Sequence, residues 1–442
     1  MEKIKVLFTS TDRAGVHYWR ILNPALQLNT SHNDKFHVEI NQEVDPNDME
    51  YLKQFQIIQF HRGFGNLDTL KVLKKEGVKL VMDIDDYWEL DKTHPYYVIA
   101  QRENLAEYVI NNIKEVDAVT TTTELFADEI RKYNKNVLVV ENSINPSIMP
   151  QFANKWEKDP NGKTRIVYIG GSSHYHDFQQ LNGVFNYLDG VGEIKDKYKI
   201  LLAGWDTRGN RTEFKLNEQF LKVMQENGLW NQQVVNHLNK TNGDIDGLRI
   251  PQQIKDVFRG QVIQKKERPI TAEESVYFEY EKILTDNHKI IKDENYKKEL
   301  LKFRIGDTDD INQIYGRRWT KPANSYAKTY NECDISLAPL IDHKFNRFKS
   351  NLKLVEAMSR KIPVICSDMP PYNVDGIHMK NSLLVENKKN SWKDWAKSIK
   401  KLIKEPNLRE DLGNQLYEDF KDKYDLAKVT KKRADFYENL VK

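Results

Sequence analysis

Four stretches of this 442-residue chain bring together residue types that bind anions, carry protons or hydrogen-bond a polyol. The run VMDIDDYWEL ends an apolar strand pattern in Asp83, Asp85 and Asp86. A strand alternates its faces, so Asp83 and Asp85 are expected on one side and Asp86 on the other. The Asp83-Ile84-Asp85 spacing can chelate a divalent cation. No histidine or further carboxylate cluster with ligand spacing stands near it, so no metal is expected. Asp85 and Asp86 are expected to face a cleft at the strand end and hydrogen-bond a polyol, with capping of the next helix as the alternative.

The loop STDRAGVHYWR follows the first strand, where ligands of open α/β sheets sit. Gly15 lets the backbone approach an anion, and Arg13, His17 and Arg20 favour one, although a single glycine does not make a dinucleotide fingerprint. An ordinary βα turn is the alternative. In YIGGSSHYHDF a strand runs into Gly170, Gly171, Ser172 and Ser173, whose N–H groups and hydroxyls can cradle a phosphate or sugar. His174, His176 and Asp177 add donors and acceptors, and hydrogen bonding is preferred over metal ligation for residues so close on one loop.

The stretch FNRFKSNLKLVEAMSRKIPVICSD carries cations where a helix begins. Ser350 is the expected N-cap, and Lys349, Lys353, Glu356 and Arg360 share a polar face while Leu354, Val355 and Met358 face a sheet. Arg347 and Lys349 beside a positive helix end make sense if an anion such as a diphosphate binds there. Glu356, about two turns in, is then placed for both hydroxyls of an attached ribose. The alternative is a solvated face with a weak Lys353–Glu356 pair.

The elements that must position these groups follow an α/β order. Strands are expected at Ile4–Thr9, Phe36–Ile40, Phe55–Phe60, Lys79–Ile84, Ala118–Thr121 and Val137–Val140, with helices between them, which is the pattern of a parallel sheet. After a proline-containing linker the pattern restarts at Arg165–Ile169. Residues 1–150 and 151–426 are therefore expected as two doubly wound lobes, with residues 427–442 completing the first. A polar, largely helical insertion is expected over 207–318, with helices at EFKLNEQFLKVMQENGL and YFEYEKILTDNHKIIKDENYKKELLKF.

Charged residues are 30% and hydrophobic residues 39%, no apolar run reaches a membrane span, and MEKIKVLFTS lacks the features of a secretory signal. A cytoplasmic protein with reduced Cys333 and Cys366 is expected. A net charge of +3 does not announce nucleic-acid binding and does not exclude it.

DISLAPLIDHKFNRFKSNLKLVEAMSRKIPVICSD resembles the donor-nucleotide segment of GT-B glycosyltransferases, in particular family 4. AGVHYWR resembles that family's first glycine loop, VVENSIN its hinge segment, RIVYIGGSSHYHD the first strand and loop of its donor lobe, and KSIKKLIKEPNLREDLG its closing helices. The resemblance implies two Rossmann-like lobes facing a cleft and transfer of a sugar from a nucleotide diphosphate sugar, a UDP-sugar first, with retention, no metal and no prosthetic group. It gives Glu356 the ribose. Gly15, Gly170, Gly171, Ser172, His174, Arg347, Lys349, Ser350 and Asn351 are the other expected donor contacts. Asp85, Asp86 and His17 are the expected catalytic residues, and His61, Arg62, Tyr87 and Trp88 the expected acceptor contacts. The acceptor is a glycan, a protein or a modified DNA base, the last because similar insertions occur in glycosyltransferase-like sequences of large phage genomes. The insertion is the expected place for acceptor contacts or oligomerisation. Two positions depart from the family: Phe348 stands where its E-x7-E pattern has the first carboxylate, and GGSSHYHD replaces an Arg and Lys pair. A non-catalytic scaffold is the alternative; a sugar-nucleotide epimerase lacks its carboxylate pattern here.

Overall fold

The computed structural model describes residues 2–12, 14–153, 156–241, 243–285, 294–295, 298, 306–309 and 314–442. In β1 (Ile4–Thr9), Leu7 enters one apolar cluster, with Ile58, Phe60, Met82 and Phe126, while Val6 and Phe8 enter another, with Ile21, Leu28 and Val81. That alternation buries both faces of the sheet, and it is why the strands read as nearly unbroken apolar runs.

β1 is joined by β2 (Phe36–Ile40), β3 (Ile57–His61), β4 (Lys79–Asp83), β5 (Ala118–Thr121) and β6 (Val137–Val139) in a parallel sheet of order β2-β1-β3-β4-β5-β6. The helix Leu426–Leu440 returns to this lobe, where Tyr437 packs on Phe8 and Phe36 and Arg433 donates to Gln59 at 2.7 Å.

The second sheet holds β7 (Thr164–Ile169), β8 (Tyr198–Trp205), β11 (Thr308–Asp309), β12 (Tyr315–Trp319), β13 (Ile335–Ala338), β14 (Val364–Ser367) and β15 (Leu383–Val385). Its order is β11-β12-β8-β7-β13-β14-β15, parallel except for β11 against β12.

Residues 206–275 form a separate compact unit. It contains the antiparallel pair β9 (Asn210–Leu216) and β10 (Ile263–Pro269) and helices Glu218–Glu226, Gln232–Thr241 and Gln252–Phe258 around Phe220, Met224, Leu238 and Phe258. This unit, helical apart from one antiparallel pair, accounts for the first part of the largely helical insertion expected over 207–318. Its first expected helix loses its opening residues to β9, and β12 is a full member of the second sheet. The helix Val276–Leu284 also belongs with the lobes; most of the rest of the second expected helix lies outside the described residues.

Cys333 and Cys366 are buried and free. Among the described residues no helix is long and apolar enough to cross a membrane.

Candidate active site

β4 ends at Asp83, so Asp85 and Asp86 lie on the loop beyond it and are released from strand alternation. Both approach the Arg62 guanidinium, at 3.9 and 3.2 Å. Asp83 is fully buried and its oxygens accept from Arg20 Nε and Nη2 at 3.0 and 2.8 Å and from Thr120 Oγ1 at 2.6 Å, with His61 Nδ1 at 3.1 Å. Burial alone would raise Asp83, but Arg20 and His61 hold it well below the usual carboxylate range. With its lone pairs committed, Asp83 cannot join Asp85 in a metal chelate.

Arg20 is therefore not an anion ligand: it is 1% exposed and bridges Asp83 to the Val140 carbonyl and to Asn142. His17 sits with Nδ1 2.9 Å from Ser10 Oγ, and burial lowers its pKa. Gly15 faces open space, and Arg13 lies outside the described residues.

On the second lobe, the glycine loop is packed from behind. A Cβ on Gly170 would meet Tyr168 Oη at 2.4 Å, and the Gly171 carbonyl accepts from Tyr280 Oη at 3.0 Å. Ser172 is exposed, and His174 Nδ1 lies 2.8 Å from Asp177. Asp177 also accepts from the Ile341 N–H at 2.8 Å and Asn346 Nδ2 at 2.7 Å, fixing the glycine loop to the segment after β13.

That segment is broken in two. A short helix, Lys344–Arg347, is capped by His343, and the helix carrying Glu356 is Leu352–Met358. Ser350 is not its N-cap: Asn351 takes that position, and Ser350 Oγ accepts from Asn142 Nδ2 at 3.0 Å. Arg347 is turned away from the second helix and chelated by Asp342 at 2.5 and 2.7 Å. Asn351 is buried and donates to Asp375 at 3.1 Å and to Tyr424. Lys349 points at the first lobe, 3.3 Å from Asp86. Burial would raise Asp86, but Lys349 and Arg62 depress it strongly.

Phe345 and Phe348 enter the apolar cluster of the first lobe, Phe348 stacking on Phe126 with ring centroids 5.3 Å apart and lying 4.9 Å from Tyr87. Tyr87 and Trp88 are 2% and 3% exposed, so their rings form this junction and are not free to meet an acceptor. Glu356 is also fully buried. It accepts from Tyr326 Oη, from Tyr330 Oη at 2.9 Å and from Lys353 at 3.0 Å, while Trp19 donates to Tyr326 Oη at 3.1 Å.

The description "Glycosyl transferases group 1" matches residues 319–419, which run from the end of β12 into the Pro406–Phe420 helix. No curated protein matches the chain. Among solved structures, sucrose-phosphate synthase from Thermosynechococcus elongatus superposes with a TM-score of 0.54 at 11% identity, covering 100% of this chain and 99% of that one. Anabaena HepE in complex with UDP and glucose gives 0.54 at 10% identity over 99% and 100%. A Rickettsia africae glycosyltransferase gives 0.53 at 10% identity over 100% of both chains. The fold is GT-B.

Within the GT-B frame, the carboxyl ends of β4, β7 and β13 meet at a small pocket between the lobes. Asp91 and His94 line one side and His174, His343, Asn346 and Lys349 the other. Burial and the nearby Lys349 lower the pKa of His94, whose Nδ1 accepts from the Tyr96 N–H at 3.2 Å. Sequence reasoning missed His94, Asn142, Tyr326 and Tyr330.

Proposed function

We propose that the protein is a glycosyltransferase that moves a sugar from a nucleotide diphosphate sugar, a UDP-sugar first, to an acceptor held by the N-terminal lobe, with retention and without a metal. The observation that carries this reading is the convergence at the interlobe pocket of Lys349, His174 and His94, with Asp86 and Arg62 behind Lys349, inside and opposite the segment that matches the group 1 description. HepE, which shares the fold, has been solved with UDP and with UDP-glucose.

Lys349, His174 and the N–H groups of Gly171 and Ser350 surround a leaving diphosphate and stabilise the charge it gains as the glycosidic bond breaks. Glu356 takes the ribose after its tyrosines let go. Arg347 contributes once its Asp342 pair opens. Closure of the lobes excludes water and aligns the two substrates. Acceptor identity is open among glycan, protein and DNA base; a DNA acceptor predicts binding that weakens steeply with salt. Two buried free thiols fit a reducing compartment, and we place the reaction in the cytoplasm.

The test is release of UDP together with free or transferred sugar when the protein is incubated with a panel of nucleotide sugars. Lys349→Ala is expected to weaken UDP binding by about tenfold or more, roughly 1.4 kcal/mol. A second reading, a nucleotide-binding scaffold without turnover, is favoured by Phe348, which fills with a packed ring the position where the family has a carboxylate. UDP binding without sugar release over long incubation selects it.

A further inference from the structure

Away from the interlobe pocket, one helix gathers more charge than the chain as a whole. Trp392–Lys404 carries Lys393, Lys397, Lys400, Lys401 and Lys404 against a single Asp394, five positive charges less one, or +4 in 13 residues, whereas all 442 residues together sum to +3. The lysines recur at i, i+4, i+7, i+8 and i+11, so they form one stripe about 16 Å long. Like charges at this spacing repel and weaken the helix. Few carboxylates relieve them. Lys401 pairs with Glu405 at 3.0 Å, Lys404 with Glu193 at 2.6 Å, and Asp394 is taken by Lys388 at 3.1 Å. Among the described residues no carboxylate lies within ion-pair distance of Lys393, Lys397 or Lys400.

The stripe lines a groove of about 710 Å³ with two aromatic rings at one end. Tyr187, from the helix Val184–Asp189, is 48% exposed, and its ring meets that of Trp392 edge-on with centroids 6.3 Å apart. A Cβ on Gly183 would lie 3.7 Å from the Trp392 ring, so the indole rests on main chain and is held in place. Trp392 follows the carboxyl end of β15, and Lys404 lies beside Glu193, ahead of the start of β8. The aromatic end of the groove is therefore on the side of the second sheet where the candidate site lies. The apolar face of the helix, Trp395, Ala396, Ile399, Leu402 and Ile403, is buried, so nothing apolar is left to enter a bilayer. A concave strip of ammonium groups that ends in rings able to stack is the pattern that tracks a nucleic-acid single strand.

We propose that this groove binds single-stranded nucleic acid, with phosphates along Lys393, Lys397 and Lys400 and a base against Tyr187 and Trp392. The groove shares no lining residue with the interlobe pocket, and the inference stands whether or not the protein transfers sugar.

The experiment is fluorescence anisotropy of the full chain with labelled oligo(dT) and oligo(rU) of about twelve nucleotides, a length within the span of such grooves. At least one is expected to bind, and to weaken about 20–50-fold between about 50 and 200 mM salt, as three or four neutralised phosphates require. Replacing Lys393, Lys397 and Lys400 together by Gln is expected to remove most of the affinity and of its salt dependence, whereas replacing all three by Arg keeps both. Tyr187→Ala is expected to cost about fivefold or more with the salt slope unchanged, the least that one stacked base is worth. These side chains are exposed or half-exposed, and melting curves that match wild type report that the variants fold. A wild type that binds neither oligomer overturns the proposal. So does a Gln variant that binds like wild type, an Arg variant that loses as much as the Gln one, or a Tyr187→Ala protein that loses nothing. Tighter binding to a duplex of the same length, to polyglutamate or to phosphatidylglycerol vesicles also overturns it and gives the groove to that occupant.

Discussion

Both oxygens of Glu356 are occupied and its side chain is buried, so a ribose reaches it by displacing the hydroxyl of Tyr326 from one oxygen or Tyr330 and Lys353 from the other. Tyr326→Phe removes the first of these competitors. The expected gain is the net value of one hydrogen bond, about 0.5–1.5 kcal/mol, or roughly two- to tenfold tighter UDP binding by calorimetry. Unchanged or weaker binding places the ribose elsewhere than at that oxygen. Asp83 is held below its unfolded value, so its pairing stabilises the fold above the unfolded carboxylate range, and that contribution is lost as pH falls through the lowered folded value. Asp83→Asn leaves Arg20 buried without its counter-charge and is expected to cost about 3–5 kcal/mol in urea melts at neutral pH. It should also flatten the acid limb of the stability profile. The aspartates were legible as chemistry from their spacing, but their roles were not, because Arg20 lies 63 positions from Asp83 and nothing local announces the pairing. The burial of Tyr87 beneath Phe348 was not legible for the same reason, since 261 positions separate the two rings.

The elements that carry the site depend on a few close approaches. Gly204, at φ of +96°, sits in β8 behind the glycine loop, where an added Cβ would lie 2.6 Å from the Gly170 carbonyl. Both the conformation and the space exclude a side chain. Gly204→Ala is expected to weaken UDP binding and lower the melting temperature together. The junction formed by the Lys344–Arg347 helix is apolar, and Phe348→Ala is expected to cost about 3–5 kcal/mol of stability. The β1–β6 strands were readable to within two residues, because a doubly covered sheet forces short β-branched runs. The start of the Leu352–Met358 helix was read to within one residue, but the short helix Lys344–Arg347 before it was not, since its two phenylalanines pack into the other lobe's core. β9 was misread because a helix-compatible pattern runs through it, and its pairing with β10 is distant in sequence.

Across the whole molecule, the restart of the strand pattern at Arg165 was enough to separate two lobes, whereas the compact unit 206–275 was not legible as a unit because polar composition continues past Ser275. In the hairpin, Asn210 pairs with Pro269, so the two ends of the inserted segment lie side by side. Replacing residues 211–268 by a short glycine linker is expected to leave a cooperative melt and a UDP Kd within about twofold; loss of binding assigns the insertion a part in the donor site. The central claim is nucleotide-sugar binding at the Glu356 helix, and thermal denaturation with UDP and UDP-glucose tests it most directly. Ligand at a hundred times its Kd should add about 2.7 kcal/mol to the wild type and nothing to a cooperatively melting Glu356→Ala. A wild type that neither compound stabilises, or a Glu356→Ala protein stabilised to the same extent, contradicts it.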